Sequence, residues 1–392
     1  MRLDSFYNRL KVDKQVIEKA EFNPYYNCIE SGLDNLLIID GEEYVNLAAN
    51  NYLGLGADKR LKRAAINAVE KYGVSLCGTP VATGYIELYK RVERKISKFL
   101  SLEDTVIFPS CYQANNGLFA TIAGKEDLIL VDHYAHSSLI EGIKSVGCKI
   151  RPFLHNNPEH LEKILKNSSK YRQVFIVTES VFSTEGSIAP LKEIYELGIK
   201  YGAVTVVDDS HGIGVIGKNG KGVLEECGIE NFKGIYTASL GKAIAASGGV
   251  ISGSREIIEY LRYFCPQLVY STGISPALLG AVEKVLDIIE TEFDKLGKKL
   301  WDYRDTIRNR LILNGFDLCD GKAPIISIKT GDALKTVLFA KSFYNKKILT
   351  TPFVEPSVPP NEGRLRLIAG ANLSKKSIEK ACEKIDEIGR EI

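Results

Sequence analysis

A chain of 392 residues, 45% hydrophobic and 26% charged, has an ordinary globular composition and is long enough for one large domain plus a smaller one. Its net charge of +2 sets up no long-range field, which argues against nucleic acid or an anionic membrane surface as partner. Eight scattered cysteines with no C-x-x-C pair and no neighbouring histidine cluster suggest neither a zinc site nor a disulfide framework; reduced thiols and no metal are expected. The first residues are charged rather than apolar, and no run approaches the ~18 apolar residues of a membrane span, so a cytoplasmic chain is expected.

The chain opens on a pattern for an amphipathic helix over 4–20, followed by short strands near 36–39 and 44–47. From about residue 58, helical patterns alternate with apolar runs at 105–108, 127–131, 149–153, 174–180, 204–208, 234–239 and 248–254. Segments such as 158–167 and 190–201 have helical spacing. Runs that are apolar throughout, separated by helices, predict a mainly parallel seven-stranded sheet covered on both faces. After 275 the pattern changes to two long helices, about 275–290 and 294–313, and then to a smaller set of strands and helices. The expected fold class is α/β. A large domain spans 55–290, a smaller α+β domain spans 291–392, and residues 1–54 join the smaller one.

Ligands of such sheets collect at the carboxyl ends of the strands. The polar residues gather there: Ser110, Asp132 with His136, Glu179 with Ser183, Asp208 with His211, and Ser239 with Lys242. The literal G-x-G-x-x-G of Gly212, Gly214 and Gly217 is a rival signal for a dinucleotide. However, four polar residues separate it from its strand and "KNGKG" follows it, where a fingerprint would open a helix. It reads instead as a tightly packed connection.

Asp208 closes a strand in the middle of the sheet, where a carboxylate is costly unless paired. Lys242 lies among small residues in "TASLGKAIAASGG", a setting for a crowded loop that presents its amine to a ligand. In "FPSCYQANNGLFA" Ser110 is a natural N-cap, and the amides of Cys111 and Tyr112 would form an anion site. A phosphate cradle, a buried carboxylate and a sheltered lysine are the three fixed contacts of pyridoxal 5'-phosphate.

At these residues the chain resembles the α-oxoamine synthase family of fold-type I, pyridoxal-phosphate-dependent enzymes. The resemblance runs from "LAANNYLGL" (47–55) through "VDHYAHSSLIEG", "TESVFSTEG", "VVDDSHGIGVIGKNGKG" and "SLGKAIAASGG" to "RLRL" (364–367), in family order and spacing. It implies that Lys242 bonds the cofactor aldehyde, Asp208 pairs with the pyridine nitrogen, His211 meets the ring's 3-oxygen and His136 stacks on the ring. Ser183 and Ser239 would also contact the cofactor. Ser271 and Thr272 of "VYSTGISPA" would reach the phosphate from a second subunit, which implies a homodimer with shared active sites. Asn50 and Arg366, with His136, would hold the amino-acid substrate. The implied reaction condenses an α-amino acid with an acyl thioester, carried on coenzyme A or an acyl carrier protein, with decarboxylation. Departures from the family pattern fall in "CGTPVATGY" (77–85), in "TASLGKA" and in "LIAGANLS" after Arg366. Another fold-type I reaction (aminotransferase or lyase) and a non-catalytic binding protein of the same fold stay open as alternatives.

Overall fold

The structure, a computed structural model, describes residues 2–10 and 14–391. The single helix expected over 4–20 is two helices, Arg2–Arg9 and Gln15–Ala20, with 11–13 outside the described residues. A hairpin follows, β1 (Leu36–Ile39) and β2 (Glu42–Asn46), turned by Asp40 and Gly41, both at positive φ.

The large sheet comprises β3 (Asp104–Phe108), β4 (Leu128–Asp132), β5 (Lys149–Phe153), β6 (Val174–Glu179), β7 (Val204–Asp208), β8 (Ile235–Ser239) and β9 (Gly249–Gly253). Their order is β3-β9-β8-β7-β6-β4-β5, with β9 antiparallel to both neighbours and the other pairs parallel. Alternate residues enter different cores: Val106, Val131, Val177 and Val206 on one side, Ile107, Val207, Tyr236 and Val250 on the other. Burial on both faces explains the unbroken apolar runs. Only β5, at the sheet edge, exposes Lys149, Arg151 and Pro152, a place where a proline costs no ladder bond.

From β4 the chain moves outward to β5, then returns to β6 on the opposite side of β4 and continues to β7 and β8. The carboxyl ends of β4 and β6 therefore flank a topological switch point, where a crevice opens.

The two helices expected over 275–290 and 294–313 are one helix, Pro276–Leu313, about 57 Å long at 1.5 Å per residue. Gly297 does not break it; a Cβ there would sit 3.1 Å from the Phe293 ring, so the glycine serves close packing. The division proposed at 290/291 falls inside this helix. Its Leu279, Val282 and Ile289 join the large-sheet core, while Ile307 and Leu311 join a second core with Val45, Leu47, Leu365 and Ile385. The second core lies around β10 (Ile326–Gly331), β11 (Ile348–Leu349), β12 (Thr351–Phe353) and β13 (Gly363–Leu367). The order β10-β13-β12 is antiparallel, and β11 pairs in parallel with β2, which ties the N-terminal hairpin to the C-terminal residues. No described helix is long and apolar enough to cross a membrane.

Candidate active site

At the switch point lies a cavity of about 280 Å3, and Ser110, Cys111, Tyr112, His136, Asp208, His211, Ser239 and Lys242 all line it. Each arrives there because its element ends there. Ser110 follows β3 and caps helix Cys111–Ile122, its Oγ accepting the Gln113 N–H at 3.1 Å. The amides of Cys111 and Tyr112, in the first turn, have no carbonyl partner within the helix, and both residues line the cavity. Gly249 permits this approach, since a Cβ there would come within 2.4 Å of the Cys111 nitrogen. Helix dipole and free N–H groups together make this corner receptive to a phosphate.

Asp208 ends β7 in register with Glu179 of β6 and Thr237 of β8. Its Oδ1 accepts the Ser210 N–H at 2.9 Å and its Oδ2 accepts from Asn115 Nδ2 at 2.7 Å. Glu179, also buried, accepts the His136 backbone N–H at 2.6 Å. Burial, then the neighbouring Asp208 carboxylate, raises the Glu179 pKa well above its usual value. Lys242 follows β8, and its side-chain amine makes no ion pair or hydrogen bond to any described residue; desolvation lowers its pKa.

Both histidines have their pKa lowered. Desolvation, then the charges of Lys242 and Arg366, carries His211 well below its usual pKa, and its Nδ1 meets the Tyr52 hydroxyl at 2.7 Å. His136 caps helix Ser137–Val146, and desolvation also lowers its pKa against the opposing pull of Asp208.

The remaining expected residues lie outside this cavity. Arg366 on β13 is buried against the Phe353 ring, gives one bond to the Ser183 carbonyl at 3.2 Å, and leaves Nε without a partner. Asn50 has a buried Oδ1 that is likewise unpartnered. Both adjoin the cavity through the 47–52 turn: Ile368 N–H bonds the Leu47 carbonyl at 2.8 Å, and Tyr52 reaches His211. The Arg366 guanidinium, with Nε unpartnered, suits a carboxylate, whereas the spare Asn50 Oδ1 can only accept. Ser183 meets Arg366 through its main chain. Ser271 accepts from Gln113 Nε2 at 3.3 Å, and Thr272 follows it beside the 77–85 segment, where Gly273 N–H bonds the Gly78 carbonyl.

Three contributors escaped the sequence reading: Asn115, Ser138 and Tyr52. Asn115 stands four residues after Cys111, a spacing that puts both on one helix face and is the signal that could have found it. The supposed dinucleotide glycines form a packed turn. A Cβ on Gly212 would overlap Asp209 Oδ1 at 1.9 Å, and Gly214 and Gly217 have φ of 73° and 85°.

The set fits the cofactor implied by the resemblance. An unpartnered sheltered amine can meet an aldehyde, an acid wall can meet a ring nitrogen, and a cradle that a Cβ would fill can meet a phosphate.

The family described as aminotransferase class I and II matches residues 42–385. The 8-amino-7-oxononanoate synthase of Thermoanaerobacter pseudethanolicus is 34% identical, over 98% of this chain and 97% of its own length. The 2-amino-3-ketobutyrate coenzyme A ligase of Escherichia coli is also 34% identical, over 99% and 98%. Among solved structures, the serine palmitoyltransferase of Sphingomonas wittichii superposes with a TM-score of 0.93 at 25% identity, covering 100% of this chain and 98% of that one.

Proposed function

The chain belongs to the α-oxoamine synthases, pyridoxal-phosphate-dependent acyltransferases within the aminotransferase class I and II family, and from that premise we propose that it joins glycine, alanine or serine to an acyl thioester, releasing CO2 and a free thiol and leaving an α-amino ketone. The observation that carries the reading is the meeting of three features in one cavity: the unpartnered Lys242 amine, the Asp208 carboxylate and the open first turn of helix Cys111–Ile122.

Bound pyridoxal phosphate supplies an aldehyde for the substrate amine and a ring that takes up the electrons set free at Cα. The chain's own residues do the rest. Ser110, Ser239 and the amides of Cys111 and Tyr112 would hold the phosphate. Asp208 would keep the ring nitrogen protonated; a charge pair near 3 Å at an effective dielectric of about 20 is worth about 5 kcal/mol before desolvation. Lys242, its pKa lowered chiefly by desolvation, would take the Cα proton through its amine. Arg366 and Asn50 would fix the substrate carboxylate. His136 would donate a hydrogen bond to the oxyanion formed as the thioester is attacked.

We assign the acyl thioester to a neighbouring cavity of about 450 Å3, which adjoins His136 through His133, Tyr134 and Ala135 and is also lined by residues 355–360 and Arg364. A coenzyme A thioester is supported by the E. coli relative, a 2-amino-3-ketobutyrate coenzyme A ligase. We also assign the enzyme to a cytoplasmic homodimer in which Ser271 and Thr272 complete the partner's phosphate site.

The test is a thiol-release assay over a grid of the three amino acids and acyl thioesters of increasing length, with Lys242→Ala as the blank. At least one pair should release thiol and CO2 in equal amounts. A grid no different from the blank overturns the reading, and keto-acid consumption without thiol would make the protein an aminotransferase.

A further inference from the structure

Asn115, fully buried, aims both hydrogens of its side-chain amide at acceptors. Its Nδ2 lies 2.7 Å from Asp208 Oδ2 and 2.9 Å from Ser138 Oγ. A carboxylate only accepts, so the nitrogen faces Asp208 and Asn115 Oδ1 is left buried without a partner. Because Ser138 Oγ receives the amide proton, its own hydroxyl proton is free for the 2.8 Å contact with His136 Nδ1. The Ser138 backbone N–H points at the same ring nitrogen from 3.2 Å. Two donors on Nδ1 leave no place there for a proton, and Nε2 has no partner among the described residues.

We propose that Asn115 and Ser138 are positioning residues that lock His136 as a neutral imidazole protonated on Nε2, so that it acts as a hydrogen-bond donor and not as a base. What that donor meets rests on the condensation reading above; the tautomer itself does not.

The charged groups around the ring do not alone account for a neutral form. Asp208, at the end of β7, favours the imidazolium, whereas Lys242 after β8 opposes it. Glu179 on β6 takes the His136 main-chain N–H, and burial carries the His211 pKa well below its usual value. The Ser138 donors bias the balance, because protonating Nδ1 would break two hydrogen bonds.

The chain has five histidines, so selective 15N-histidine labelling of the enzyme with added pyridoxal phosphate gives a resolvable long-range 1H–15N spectrum, with His136→Gln identifying the ring. Wild type should show His136 as the Nε2–H form. In Asn115→Ala the Ser138 hydroxyl can turn and accept from a protonated Nδ1. In Ser138→Ala one donor is lost. Both variants should raise the His136 pKa by roughly half a unit to one unit, the worth of one such bond, and Ser138→Thr should restore it. An Nδ1–H or mixed tautomer in wild type overturns the proposal, whether or not the variants fold. So does an unchanged titration in both variants at wild-type melting temperature. A locked Nε2–H ring in an enzyme that releases no thiol would sink the condensation reading and leave this relay standing.

Discussion

Asp208 sits on an inner strand that is apolar on both faces, and it stays there because the fold turns donors toward it, the Ser210 amide and the Asn115 side chain. Such a carboxylate is costly unless something cationic completes it, and the proposed partner is the ring nitrogen of the cofactor. Asp208→Asn preserves shape and hydrogen-bonding reach but loses the charge. It should bind pyridoxal phosphate, seen by absorbance, while turnover falls at least ~100-fold. Near-normal turnover in that variant would remove Asp208 from the mechanism. The strand-end positions of Asp208 and Lys242 were legible in the sequence because apolar runs locate strand ends. Asn115 was not: its helical spacing from Cys111 could place it on the same face, but could not pair it with a residue 93 positions away.

A second polar assembly links elements rather than single residues. His155, after β5, lies between Asp132 at the end of β4 and Glu185 on the loop after β6, at 2.9 Å from each. Glu185 in turn pairs with Arg364 of β13 at 2.8 Å, so the chain of charges reaches from the large sheet into the C-terminal one. Burial works against a charged ring, but hydrogen bonds to Asp132 and Glu185 outweigh it and raise the His155 pKa to about 9. A pKa raised on folding stabilises the protein fully below the unfolded value near 6.5, and that contribution is lost as pH rises through about 9. His155→Gln should therefore melt several degrees below wild type at pH 6, and the gap should shrink by pH 9.5. Calorimetry at both pH values decides it; an equal gap at both would mean that the charge contributes nothing. At this scale the sequence reading erred where local cues were weakest. The stretch 291–293 read as a gap between two helices, yet packing against both cores carries one helix through it.

For the whole molecule, the proposed second copy has a direct check. Neither Ser271 nor Thr272 lines the cavity of its own chain, and the proposal is that the two hydroxyls serve the partner's phosphate. Mixing inactive Lys242→Ala with inactive Ser271→Ala/Thr272→Ala chains should then create hybrid dimers with one complete site each, recovering about a quarter of wild-type activity at equal ratio. No recovery after verified subunit exchange would place the two hydroxyls in their own subunit's site.

The order of strands and helices, the sheltered lysine and the acid at a strand end could be read from the chain because each is a local pattern of periodicity or flanking residues. Only the tertiary structure decided which polar groups meet. The return of the chain past β4 opens the crevice, β11 pairs the N-terminal hairpin with the C-terminal residues, and the 47–52 turn is brought against β13 and His211. Those contacts depend on strand register and on packing between segments hundreds of residues apart, and a window of sequence contains neither.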